Sequence, residues 1–236
     1  MTALMQKLAH WIKLAVGALV LLVLVTQLWY LGWVAWWRFF NPGMTSFMEQ
    51  RLDEMQQTRP DTRLIQRWEP YEKISVHLKR AAIASEDDKF AEHDGFDWEG
   101  IQKAIAKNER KGRIVAGGST ITQQLAKNLF LSSSKTPWRK AQEAVITVML
   151  ETLWDKRRIL EVYLNVVEWG DGLFGAEAAA QHYFHISAAR LGPEQAARLA
   201  VMLPAPRRFE KNPYSDYLNG RVELILGRMY SADVPQ

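Results

Sequence analysis

"GGSTITQQLAKNLFL", residues 117–131, opens on two flexible glycines followed by a capping box. Thr120 and Gln123 hold the positions that satisfy the first free N–H groups of a helix. Ile121, Leu125 and Leu129 then recur every four residues as a stripe to be buried, while Gln124, Lys127 and Asn128 share another face. A helix N-terminus beside a lysine suits an anion such as phosphate, although a glycine–serine lead is also an ordinary helix start. GxxxxGK[ST] is absent, so this is not a Walker A loop.

The helical period continues on both sides. From residue 71 onward it dominates, punctuated by the turn signals "HDG", "AGGST", "SSSKTP", "GDG", "LGPE" and "LPAPRRF", with no run of alternating β-branched residues. One mainly α-helical domain is expected over 71–236, with a connector over 38–70 carrying Pro42, Pro60 and Pro70. Within that connector "FFNPGMTSFM" can lie on a bilayer surface. Upstream, residues 14–37 contain no charge, and 24 residues at about 1.5 Å each reach roughly 36 Å, enough to cross a hydrocarbon core. Trp29, Tyr30, Trp33, Trp36 and Trp37 crowd one end, as interfacial rings do, and "VAWWRFF" is a poor cleavage site. Residues 14–37 therefore read as an uncleaved anchor behind a short tail, 1–13. Lys7 and Lys13 before it balance Arg38 and Arg51 after it, so charge bias leaves the orientation open.

The 236 residues hold 30 basic and 26 acidic side chains and no cysteine. Disulfides, thiol catalysis and cysteine-held metals are excluded, and a formal charge of +4 is too small to argue for nucleic acid.

Two further stretches carry ionisable groups at helical spacing. In "EKISVHLKRAAIASEDDKFAEHDGFDW", Leu78, Ala82, Glu86 and Phe90 fall on one face, so Glu86 projects beside the core while Asp87 and Asp88 turn elsewhere. Partial burial raises a carboxyl's pKa toward the range of a proton acceptor, though a satisfied helix-end carboxylate fits the same spacing. An EF-hand fits poorly, because Phe90 and Glu92 break its frame ahead of Gly95. In "RKAQEAVITVMLETLWDKRRILEVYLNVVEWG", Glu143 lies four residues after Arg139 and shares a face with Thr147, Leu150 and Trp154, so it points inward. Asp155 caps a following helix, in which Arg157 and Glu161 make an i,i+4 pair and Asn165 and Glu168 stand at the end. Ser132 to Lys135 spells S-x-x-K in a polar loop without its companion K-T-G. His182 and His185 lack a third metal ligand, and Arg207, Arg208 and Lys211 read as a solvated basic surface.

Together, in this order and behind an anchor, these stretches resemble the peptidoglycan glycosyltransferases that polymerise lipid II. "EDDKFAEHDGFDW", "GGSTITQQLAKNLFL", "RKAQEAVITVMLE", "KRRILEVYLNVVEWG" and "GAEAAAQHYF" with "LGPEQAARLAVMLPAP" match five ordered motifs across roughly residues 70–210. With no transpeptidase domain following, the chain most resembles the monofunctional transglycosylases. Asp88 and Lys89 are the main local variation. The resemblance implies a lysozyme-like helical fold and an anchor in the inner membrane with the domain on the periplasmic side. It implies Glu86 as the base that deprotonates the acceptor 4-hydroxyl, and Glu143 as a second essential glutamate. Lys127, Arg139 and Lys140 would hold the donor's phosphates, with Ser119, Thr120, Gln124 and Asn128 lining the same cleft. Asp87, Phe90, His93 and Gly95 would hold Glu86 in place. A divalent cation, Mg or Mn, has room at the pyrophosphate, but no dedicated ligand set is visible. The implied partners are lipid II, the lipid-linked glycan strand, the membrane and other cell-wall synthesis or division proteins. A membrane-anchored glycan hydrolase and a catalytically silent scaffold are the alternatives. The cations argue against the first, and the inward glutamates with the phosphate-type residues against the second.

Overall fold

A computed structural model describes residues 2–113 and 117–236, with side chains from Met5 onward; Met1 of the expected tail and Ala116 of the turn signal "AGGST" lie outside the described residues. The chain forms two compact units, Met1–Phe40 and Asn41–Gln236. The first is a single helix, α1 (Thr2–Trp37), whose segment Met5–Trp37 has a mean hydropathy of 2.3 and is long and apolar enough to cross a membrane.

The second unit is mainly helical: α2 (Ser46–Gln56), α3 (Val76–Glu86), α4 (Trp98–Lys111), α5 (Ile121–Phe130), α6 (Pro137–Leu153), α7 (Lys156–Val166), α8 (Ala176–Phe184), α9 (Pro193–Met202), α10 (Pro206–Phe209) and α11 (Asp216–Arg228). A small sheet of β1 (Ile65–Gln66), β2 (Glu168–Gly170) and β3 (Leu173–Phe174) has the order β1-β3-β2, with β1 parallel and β2 antiparallel to β3. Its hairpin turns on the expected "GDG", where Gly172 takes a φ of 74°.

The sheet went unforeseen because strands of two or three residues are too short to alternate. The unit also begins at Asn41 rather than 71. Residues expected as connector include α2, which packs on α5 and buries Met48, Arg51 and Met55. Arg51 is a charged residue at a core position, and this is what disguised the helix. Its guanidinium lies against Glu54, 3.0 Å from Glu168 and 2.7 Å from Asp171, so its charge is matched inside the fold.

α5 is the hub, packed against α2, α6 and α7, with Ile121, Leu125 and Leu129 buried as their spacing requires. α3, packed against α9 and α11, stops at Glu86; Asp87 is already extended, with φ −164° and ψ 75°. Phe90 therefore leaves the helix, yet the following turn returns it to the core, where it is fully buried. The capping box at Thr120 forms with both bonds, and Asp155 caps α7 by accepting from the Arg158 N–H at 2.7 Å. The expected Arg157–Glu161 pair does not form: Arg157 reaches Glu72, and Glu161 pairs with Arg158 at 2.8 Å. A one-residue rotation puts Arg158, not Arg157, over Glu161.

Candidate active site

Asp87 builds the site's frame. Its buried carboxylate accepts from His93 Nε2 at 2.8 Å and from the Ile121 N–H at 2.9 Å, the first turn of α5. His93 Nδ1 accepts from the Gly95 N–H at 3.2 Å, which leaves its proton on Nε2, facing Asp87. The Gly95 carbonyl in turn accepts from the Thr120 hydroxyl at 2.7 Å. The end of α3 and the start of α5 are thus tied by charge-assisted bonds that fix the backbone on either side of Glu86.

Gly95 sits at φ +86°, and a Cβ there would lie 2.6 Å from Thr147 Cγ2 and 3.0 Å from Glu151 Cγ. Gly95→Ala is expected to destabilise the domain by about 2–4 kcal/mol, from left-handed backbone strain plus overpacking. Denaturant unfolding measures this, and adding Thr147→Ser should recover part of the loss by removing the methyl the new Cβ strikes.

Glu86 is the last residue of α3. Its carboxyl lies deep among neighbouring atoms but opens to the cleft on one side. Oε2 accepts from Gln124 Nε2 at 3.0 Å, and Ser85 Oγ lies 3.2 Å from Oε1. Burial pushes its pKa above the ordinary carboxylate value, aided by neighbouring Asp87 and opposed by the two hydrogen bonds and the charge of Arg221. The group is suited to taking a proton from a weak acid.

Opposite it lie cations. A cavity of about 320 Å³ is lined by Glu86, Ser119, Gln124, Lys127, Arg139, Lys140 and Glu143, with Leu203 and Pro204 closing it. Glu143 is buried and its two oxygens hold Arg139 and Lys140, one each. Lys140 Nζ also donates to Ser119 Oγ at 3.2 Å. Lys127 makes no ion pair among the described residues; its ammonium lies 5.7 Å from the Phe47 ring centre, and burial lowers its pKa. Three cations against the two carboxylates Glu86 and Glu143 leave the cavity with an excess of positive charge awaiting an anion.

The expected site residues divide into groups. Glu86, Ser119, Gln124, Lys127, Arg139, Lys140 and Glu143 meet in this cavity. Asn128 is buried and opens instead on an adjoining cavity of about 600 Å³, which also shares Gln124 and Lys127. Thr120 is buried, with its hydroxyl engaged with Gly95 and the cap, and it lines a neighbouring cavity of about 170 Å³ that also holds Glu86 and Ser119. Asp87, His93 and Gly95 form the frame, and Phe90 fills the core beneath it, 4.7 Å from the Lys156 ammonium.

Four residues were not assigned to the site from the sequence. Phe47, Glu168 and Arg207 line the larger cavity, and Arg207 lies 3.7 Å from Glu168, so it belongs to the cleft rather than to a merely solvated surface. Tyr163 is fully buried and donates to Gln124 Oε1 at 3.1 Å. A tyrosine inside an apolar stripe needs a hydroxyl partner, and this signal was present in the sequence. The S-x-x-K serine lies in an exposed loop, and His182 lies 3.3 Å from Glu210. Among the described residues no group of three or more His, Cys, Asp or Glu could hold a metal. The cationic cavity offers two carboxylates, Glu86 and Glu143, of which Glu143 is already occupied by two cations, so its protein groups form no dedicated ligand set for a divalent cation.

The transglycosylase family model matches residues 52–230. A biosynthetic peptidoglycan transglycosylase of Dechloromonas aromatica is 61% identical over 231 residues, covering 98% of this chain and 100% of the relative. Proteins of that description from Aromatoleum aromaticum, 64% identical over 217 residues (92% and 94% covered), and Laribacter hongkongensis, 55% over 225 (95% and 99%), are similar along nearly their whole length. On a match of this extent, and with a helical domain of the lysozyme-like type, the chain belongs to the transglycosylase family.

Proposed function

We propose that this protein polymerises lipid II into linear peptidoglycan strands for the cell wall, with inversion at each new β-1,4 bond. The observation that carries this reading is the shared cavity: a carboxylate with raised pKa faces Lys127, Arg139 and Lys140. Glu86 removes the proton of the acceptor sugar's 4-hydroxyl. The freed oxygen attacks C1 of the lipid-linked strand from the side opposite its α-linked diphosphate, forming the new C1–O bond as the old one breaks. The departing polyprenyl diphosphate gathers negative charge, which the three cations stabilise in a partly desolvated site. Glu143 fixes two of those cations in place. Helix α1 anchors the chain in the inner membrane, with the catalytic unit on the periplasmic side, where lipid-linked precursors are polymerised.

The cations also discriminate against glycan hydrolysis, which acts on uncharged sugars and has no diphosphate to stabilise. Detergent-solubilised protein incubated with labelled lipid II alone is expected to make long strands, resolved by gel electrophoresis. Failure to extend lipid II, together with shortening of preformed glycan, would establish the hydrolase instead.

A further inference from the structure

We propose that Tyr163 is a positioning residue for the reaction: its buried hydroxyl sets which end of the Gln124 amide faces Glu86. The inference rests on Glu86 being the base. Tyr163 is fully buried on α7 and donates to Gln124 Oε1 at 3.1 Å, and Gln124 Nε2 donates to Glu86 Oε2 at 3.0 Å. An amide has a donor end and an acceptor end. With the phenol's proton on Oε1, the NH₂ group has to point at the carboxylate. Without it, nothing distinguishes the two ends from behind, and the amide can turn its oxygen toward Glu86, repelling the charged form. The other donor is a weak substitute, because Ser85 Oγ lies 3.2 Å from both Glu86 Oε1 and the Ala200 carbonyl and has one proton to give. The amide carries no proton onward, so Tyr163 orients and does not relay.

The remaining groups around Glu86 do not perform this task. At the end of its own helix α3, Asp87 is occupied by His93 and α5; from α11, Arg221 acts through space and Arg228 donates to the Ala84 carbonyl. Lys127 on α5 and Arg139, Lys140 and Glu143 on α6 face it across the cavity. Asp87 and Arg221 act on the charge of Glu86, and among the described residues none of these groups hydrogen-bonds the Gln124 oxygen.

Tyr163→Phe keeps the ring and removes only the hydroxyl. In the full-length protein it is expected to lower kcat for lipid II about 3- to 10-fold, the effect of one lost neutral hydrogen bond, with KM nearly unchanged. The acid limb of the kcat/KM profile should move up by about half to one pH unit, because the carboxylate has lost its donor. Gln124→Ala should do the same, and the double variant should be no slower than Gln124→Ala alone. An unmoved acid limb, or single effects that multiply, would overturn the role of Tyr163 even if Glu86 proves essential. Full activity of Glu86→Gln would instead remove the base on which the inference stands.

Discussion

Glu86→Gln is expected to reduce lipid II polymerisation by about 10²–10⁴-fold, the usual contribution of a positioned base, while making the domain more stable. Both effects have one cause. Burial raises the folded-state pKa of Glu86 above the ordinary 4.5, so the folded chain binds its proton more tightly than the unfolded chain does. The stability this group contributes is complete below the ordinary carboxylate pKa and is lost as pH rises through the raised value. Above that window the fold holds a desolvated charge. Gln keeps the shape and can still accept the Gln124 bond, but it carries no charge. At neutral pH, where the raised pKa penalises the charged form, the gain appears as a higher Tm. Polymerisation assays and calorimetry on the same preparation test the two together. Retained synthesis would remove Glu86 from the chemistry, and a lowered Tm would show that its carboxylate serves the fold instead.

Lys127→Ala is expected to lower kcat/KM for lipid II by about 10²–10³-fold, again without loss of stability. Arg139 and Lys140 are both engaged by Glu143, whereas Lys127 forms no ion pair among the described residues and lies beside the Phe47 ring, so its charge is available to a diphosphate. Its pKa is lowered chiefly by burial, which means that the folded state disfavours the charged form and removal relieves that strain. Lys127→Arg, which restores a cation, should recover part of the rate. A change below about threefold in the alanine variant would assign the leaving group to other residues. In both variants the activity is lost and the fold gains, which marks these charges as placed for chemistry.

Much of this was legible in the sequence because local signals and tertiary demands coincided. The Thr120 capping box, the stripe of Ile121, Leu125 and Leu129, and the inward position of Glu143 each follow from helical spacing and reappear intact. Glu86 was placed on a core-facing helix and is found there, although the helix stops at it instead of running on to Phe90. Three-dimensional pairings were not legible. Nothing in the spacing of Arg51 and Glu168, 117 residues apart, announces their ion pair. Nor does periodicity reveal that Asp87 would bind the first turn of a helix 34 residues on. Such contacts depend on how helices cross, and α2, with an arginine at a core position, read as polar linker for that reason.

Arg51 carries a lesson for anyone wishing to excise the catalytic unit. The family match begins at residue 52, one position after it. A fragment cut at that boundary keeps every recognisable motif but discards the cation that neutralises Glu168, and Phe47 along with it. It would leave that carboxylate, in the wall of the larger cavity, with only the longer 3.7 Å ion pair to Arg207 among the described residues. The smallest self-sufficient piece therefore starts before α2, where the compact unit itself starts, at Asn41.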